Sequence, residues 1–236
     1  MNPVGGHQPP MRLALTAVAA ALAVAFAGAP TEPASARPAT GHPTAPATHV
    51  AKPAEFSSGK PRNARLTIPA VGIRSLKVVA YRGKTDDAPG TRIQNRGIAA
   101  SSHGPRGGTG PGGLGNYQVT AHRTSHGGVF RRTPSLHRGD RLLVDVGRWR
   151  YVYRVVTTRW VSFRSAKSLR EQRAAVPGRP GVKPKKGYIT ISTCATPEDH
   201  ARGNYWTDRF GNPEHRIDKI GVLVRRMPSP HVHQRH

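Results

Sequence analysis

A second cysteine is missing from this chain, so its single thiol, Cys194, cannot join an internal disulfide. Acidic residues are scarce as well. Only 12 Asp and Glu stand against 37 Lys and Arg in 236 residues, and Asp86-Asp87 is the only pair of adjacent aspartates. Carboxylates so thinly spread argue against a calcium site. No heptad pattern or internal repeat runs through the sequence, which excludes a coiled coil and a solenoid. Hydrophobic residues make up 36% and aromatics 6%, modest for a wholly globular chain, so the polar surplus belongs in tails and loops. The one long apolar run, Leu13 to Ala29, is uncharged, mostly alanine and shorter than the roughly 20 apolar residues of a membrane span.

That run follows Arg12 and ends before Pro30, the layout of a secretory signal. Ala27-Gly28-Ala29 and Ala34-Ser35-Ala36 offer small residues to a peptidase, and an uncleaved signal-anchor is the alternative. Residues 1–36 are therefore read as an export segment. Residues 37–61, rich in Pro, Ala, Thr and His, cannot bury enough apolar surface to order themselves and read as a linker. Residues 62–227 are the folded domain, and 228–236 a basic, His-rich tail. The formal charge of +25 favours anionic surfaces such as nucleic acid, phospholipid or wall polymers. The basic residues are scattered, however, and fit a solvated surface equally well.

Inside the domain the dominant period is two. Leu66, Ile68, Val71 and Ile73 open it, and Leu76 to Tyr81 follows as a second strand. Loops around one or two short strands near Ile98 come next. Trp149, Tyr151, Tyr153 and Val155 alternate with Arg148, Arg150 and Arg154, with Gly147 at a hairpin; a short helix is expected over Ala166 to Ala175. Seven or eight short strands between Gly- and Pro-rich turns predict a mainly β chain closed into a barrel, with a sandwich as the alternative.

Gly187-Tyr-Ile-Thr-Ile-Ser-Thr-Cys-Ala-Thr-Pro197 carries the only thiol to the end of a strand and stops it there. Asn116-Tyr-Gln-Val-Thr-Ala-His122 delivers a histidine in the same way, before a polar turn. A thiolate beside an imidazolium suits nucleophilic acyl transfer, and Arg216, at the start of the last strand, can supply donors for an oxyanion. Arg202, Arg209 and Lys219 are rivals for that place. Gly104 to Gly115 lacks the Gly-Lys-Ser/Thr ending of a phosphate loop and reads as a flexible loop bordering a site. His122 and His126 are four apart without the Glu of a His-Glu-x-x-His zinc motif, so no metal or cofactor is expected.

Three stretches resemble the sortases, cysteine transpeptidases of Gram-positive cell walls. Thr190-Ile-Ser-Thr-Cys194 is similar to their Thr-Leu-x-Thr-Cys motif, and Arg65-Leu-Thr-Ile-Pro-Ala-Val-Gly-Ile73 to their first strand. Thr120-Ala-His-Arg-Thr124 is similar to the Gly-His-Arg-Thr of class E, with class F the alternative. The resemblance implies an eight-stranded sortase barrel in which Cys194 is the nucleophile, His122 the acid and Arg216 the oxyanion donor. Thr193, Ala121 and Arg123, flanking the pair, are the expected substrate contacts. It further implies cleavage of a Leu-Pro-x-Thr-Gly or Leu-Ala-x-Thr-Gly sorting signal on a surface protein after Thr, transfer to a peptidoglycan-precursor amine, and work at the cell surface by a chain that reads as a monomer. Two other readings exist. One is a secreted basic wall-binding module without catalysis. The other is an L,D-transpeptidase, suggested by Ser125-His-Gly-Gly-Val129, in which Gly128 stands where that family has cysteine.

Overall fold

The first alternating run becomes strand β1 (Ala64–Ile68): Leu66 and Ile68 are fully buried while Arg65 faces water. The computed structural model describes residues 55–230, so the export segment, most of the linker and the last six residues of the tail lie outside the described residues. Pro69 ends β1, and Gly72, at φ 74, turns the chain back into β2 (Ile73–Arg82). Then come β3 (Ala99–His103), β4 (Gly115–Thr120), β5 (Arg141–Val146), β6 (Trp149–Ser162), β7 (Gly187–Cys194) and β8 (His215–Pro228). The eight strands close in the order β1-β2-β3-β4-β7-β8-β6-β5, a barrel and not a sandwich. Apolar residues of alternate positions, among them Val78, Val119, Leu142, Val144, Ile189 and Ile191, fill its interior.

β7 is the axis of the site. It pairs in parallel with β4 and antiparallel with β8, so both its edges are satisfied. Its inward face, Ile189 and Ile191, belongs to the core, yet Thr190 and Ser192 on the other face are buried too. Their cover is helix α2 (Ala166–Arg173), whose Gln172 Nε2 donates to Asp218 Oδ2 at 3.1 Å and to Ser192 Oγ at 3.4 Å. Asn116 Nδ2 donates to the Gln172 carbonyl at 3.1 Å and its Oδ1 accepts from Thr190 Oγ1 at 2.8 Å. A polar layer thus lies between sheet and helix, in which Gln172 Oε1 is left without a partner among the described residues.

Three features depart from the sequence reading. Helix α1 (Ala88–Gln94) occupies a stretch read as loop, because Asp87 caps it by accepting from the Gly90 amide at 3.0 Å and Pro89 suits its first turn. Helix α3 (Thr196–Ala201) lies in the polar connection after β7, and Pro197, in its first turn, starts a helix as well as ending a strand. The Gly-rich stretch before β4 is pinned: the Gly112 amide donates to Tyr153 Oη at 2.7 Å, the Ser57 amide to Gly112 O at 2.8 Å, and the Gly110 amide to Gly59 O at 2.8 Å. Residues 57–60, placed in the linker from composition, therefore pack on the domain.

Burial pushes the Asp218 carboxyl up from 3.8 to about 6, partly opposed by its bonds to Ser192 and Gln172. Between those two values the native state keeps a proton that the unfolded chain has lost, so this group's contribution falls as pH rises through the window. Asp218→Asn, which keeps the shape without the buried charge, is expected to add up to about 3 kcal/mol of stability at pH 7.5 and little at pH 4. Thermal melts at both pH values check it.

Candidate active site

Register places the thiol. Cys194, the last residue of β7, stands opposite Arg216 at the start of β8. Beyond β4 the chain stays beside β7, with the Ala121 amide donating to Ser192 O at 3.4 Å and Thr193 Oγ1 to Ala121 O at 2.9 Å. The next residue is His122, whose carbonyl accepts from the Phe130 amide at 3.0 Å and so closes the polar turn that follows. His122 and Cys194 line one cavity of about 170 Å³, together with Arg123, Asn95, Thr196 and Pro213.

His122 Nε2 donates to Asn95 Oδ1 at 2.7 Å, which keeps the proton on that nitrogen. Its ring stacks on His126, with centroids 4.9 Å apart. Burial and the neighbouring His126 lower the His122 pKa; Asp86 opposes them and Arg216 adds to them. At Cys194 burial raises the thiol pKa, with Arg216 and Arg123 working against it and Asp86 reinforcing it. At neutral pH the thiol and the neutral imidazole therefore dominate, and the thiolate–imidazolium pair is a small population.

Arg216 is 1% exposed. Burial alone works against its charge, but Asp86 and Cys194 more than offset that and hold the guanidinium protonated. Nε donates to Asp86 Oδ2 at 2.8 Å and Nη1 to Pro213 O at 2.9 Å, while Phe163 lies 4.2 Å from the guanidinium carbon to the ring centroid. Nη2 has no hydrogen-bond partner among the described residues. The rivals are engaged elsewhere: Arg202 on Trp160, Arg209 on Phe210, and Lys219 through Nζ to Leu136 O and Thr158 Oγ1.

Of the three expected substrate contacts, Thr193 and Ala121 are buried, 2% exposed each, and do not line the cavity. They join the two strand ends, because Thr193 alternates to the face opposite Cys194. Arg123 does line the cavity, but it is engaged: Nη2 donates to Glu198 Oε1 at 2.7 Å, Nη1 to Glu198 Oε2, and Nη1 also to the Cys194 carbonyl at 3.2 Å. Asp86, Asn95 and Glu198 are site residues that the sequence reading missed. Only the adjacency of Asp86 and Asp87 in an acid-poor chain set any of them apart. The Gly-rich stretch before β4 contributes nothing to this cavity; its Pro105 and Arg106 line a separate one. Ser125 to Gly128 forms a turn with three successive positive φ values at residues 126–128, and its His126 serves as the stacking partner of His122.

Residues 66–210, more than half of the chain, match the Sortase domain family; the matched span holds His122 and Cys194 and stops short of Arg216. Among curated proteins, "Sortase SrtE1" of Streptomyces coelicolor is 34% identical over 84 residues, which are 36% of this chain. That match spans 23% of the relative's length. Among solved structures, the SrtA sortase from Actinomyces oris superposes with a TM-score of 0.53 at 23% identity, over 76% of this chain and 89% of that one. Sortase E from Streptomyces avermitilis gives 0.52 at 20% identity, over 76% and 98%. These likenesses at low identity show a shared fold. Neither an L,D-transpeptidase nor a module without catalysis finds support in the family match.

Alkylation of Cys194 by iodoacetamide, followed by intact mass, reads the thiol directly. Its rate is expected to climb with a midpoint above the ordinary thiol range, and Arg216→Gln is expected to move that midpoint further up, because the guanidinium is the main opponent of burial. A midpoint unmoved in Arg216→Gln contradicts the pairing of these two groups.

Proposed function

The chain belongs to the sortase family, and from that premise we propose that it is a cysteine transpeptidase of class E type that transfers a cleaved sorting signal to an amine of the cell wall. The observation that carries this reading is the convergence of Cys194, Arg216 and His122 at one end of the barrel, two of them in a single cavity and the third paired with the thiol across β7 and β8. The 34% identity to the S. coelicolor enzyme favours class E over class F.

The chemistry divides among the three side chains. The Cys194 thiolate attacks the carbonyl of the signal's threonine, and the carbonyl oxygen becomes an oxyanion. Arg216 Nη2, the nitrogen left without a partner, donates to that oxyanion. The His122 imidazolium protonates the leaving amine as the C–N bond breaks, which leaves a thioester and a neutral imidazole. An acceptor amine then attacks the thioester, His122 takes its proton, and the thiolate departs. Because His122 is pushed down and Cys194 up, the reactive ion pair is a minor form and the rate follows a bell-shaped pH profile.

In this reading residues 1–36 export the chain and the following linker tethers the barrel at the cell surface. The chain works as a monomer. Surface proteins bearing a Leu-Ala-x-Thr-Gly or Leu-Pro-x-Thr-Gly signal are the donors, and a peptidoglycan precursor supplies the acceptor amine.

Incubation with peptides of both signals, followed by intact mass, tests the reaction. The wild type is expected to form a thioester adduct and Cys194→Ala none. His122→Ala and Arg216→Ala are each expected to lower kcat/KM by at least about 10²-fold, the scale of losing a proton donor or an oxyanion donor. Turnover retained in Cys194→Ala, or a flat rate across neutral pH, sinks the proposal.

A further inference from the structure

The turn between β2 and α1 is built to present a carboxylate. Asp87 fixes the turn: its Oδ2 accepts from the Lys84 amide at 2.9 Å and its Oδ1 from the Gly90 amide at 3.0 Å. Tyr81 Oη donates to the Lys84 carbonyl at 2.6 Å. Asp86, beside them, sits at φ 55, a left-handed conformation that aspartate tolerates better than most residues with a Cβ. Its side chain is 7% exposed and reaches a strand 130 positions away in sequence, where Oδ2 accepts from Arg216 Nε at 2.8 Å. The other oxygen, Oδ1, accepts from Nε2 of the buried Gln94 of α1 at 3.1 Å.

Arg216 is left with one orientation. Nε is held by Asp86, Nη1 by the Pro213 carbonyl and the flat face by Phe163, so Nη2, buried, is the nitrogen without a partner among the described residues. We infer that Asp86 is a positioning residue of the transfer reaction, which aims the free Nη2 donor of Arg216 at the oxyanion and balances the guanidinium charge beside Cys194. This inference rests on the proposed sortase chemistry. A buried charged pair loses far more when one partner is removed than an exposed pair does, because the survivor stays buried.

A role through Arg216 differs measurably from a purely structural one. The charged groups acting on Cys194 are Arg216 of β8, Asp86 of the β2–α1 turn, Arg123 after β4 and Asp208 before β8; those acting on His122 are His126, Asp86 and Arg216. In both sets Asp86 favours the protonated form. Without its charge, the thiol and the imidazolium both become more acidic.

The test uses the full chain and two readouts. Iodoacetamide alkylation of Cys194 across pH requires no sorting signal, and Asp86→Asn is expected to shift its midpoint down, opposite in sign to Arg216→Gln. With a sorting-signal peptide, Asp86→Asn is expected to lower kcat at least about tenfold, short of the roughly 10²–10³-fold loss of a whole oxyanion donor, with KM little changed and both limbs of the pH profile moved down. Asp86→Glu is expected to recover part of the rate. Gln94→Leu frees the carboxylate without removing its charge, so it is expected to lower kcat while the alkylation midpoint stays in place. Wild-type kcat and an unmoved midpoint in Asp86→Asn overturn the inference. Should that variant not fold, wild-type kcat in Gln94→Leu overturns it. A wild type that is alkylated as expected but turns over no peptide counts against the transpeptidase reading, and the shift of the alkylation midpoint then judges Asp86 alone.

Discussion

β7 is hydrogen-bonded along both edges and buried on both faces, and the rest of the domain is arranged to satisfy that constraint. A strand with two paired edges needs β4 and β8 beside it; a strand with two buried faces needs a core below and a cover above. The apolar side chains of the barrel supply the core. The cover is α2, and because the face it meets carries Thr190 and Ser192, the cover must bring polar partners such as Gln172. The strand is therefore rigid up to its last residue. Cys194 inherits that rigidity, as does His122, whose strand end is fastened to β7 by Thr193 Oγ1.

Rigidity brings burial, and burial sets the electrostatics. A thiol held at the end of a buried strand resists ionisation, and an imidazole in the same cavity resists protonation. One fully charged guanidinium placed opposite the thiol favours its ionisation, while pressing the imidazole further down. That guanidinium is itself buried, so it must be neutralised, and the carboxylate that does so comes from the turn leading into α1. The opposite end of that helix supplies Asn95, its C-cap, to His122. A short helix with a proline and a glycine in its first turn, folded by its Asp87 cap despite poor helical propensity, thus serves two members of the site.

The barrel and the strand-end positions of Cys194 and His122 were legible because both are announced locally, and Arg216, named among rivals, does stand at the start of the last strand opposite the thiol. Alternation from Arg65 to Ile73 and from Gly187 to Cys194 marks strands, and the polar stretches after His122 and Cys194 mark strand ends. The contact of Asp86 is not legible for the opposite reason: its partner is 130 residues away, and nothing in Thr85-Asp-Asp-Ala reports a strand that has not yet been made. Thr193 and Ala121, expected near substrate because they flank the pair, lie buried away from the cavity. Nearness to Cys194 in sequence suggested nearness to substrate, yet period-two geometry sends Thr193 to the other face of the sheet. α1 was missed because its cap, rather than its composition, makes it a helix.

The scarcity of acid acquires a meaning once the contacts are known. Asp86 holds Arg216, Asp87 caps α1, Asp145 pairs with Arg150, Asp199 with His215, and Glu198 with Arg123. Glu171 pairs with Arg159, Glu214 accepts from Ser162 and Asn204, and Asp208 and Asp140 close turns. Glu55 pairs with Arg226, and Asp218 sits in the polar layer under α2. Every acidic residue among the described residues is thus committed to an internal contact, and few carboxylates are left to offset the basic surface. Most basic side chains of the described residues are left on the surface without such partners, and a positive field of this kind favours anionic polymers. The cavity, by contrast, is compensated side chain by side chain. A long-range positive field thus coexists with a site whose charged groups, Arg216 with Asp86 and Arg123 with Glu198, are paired locally.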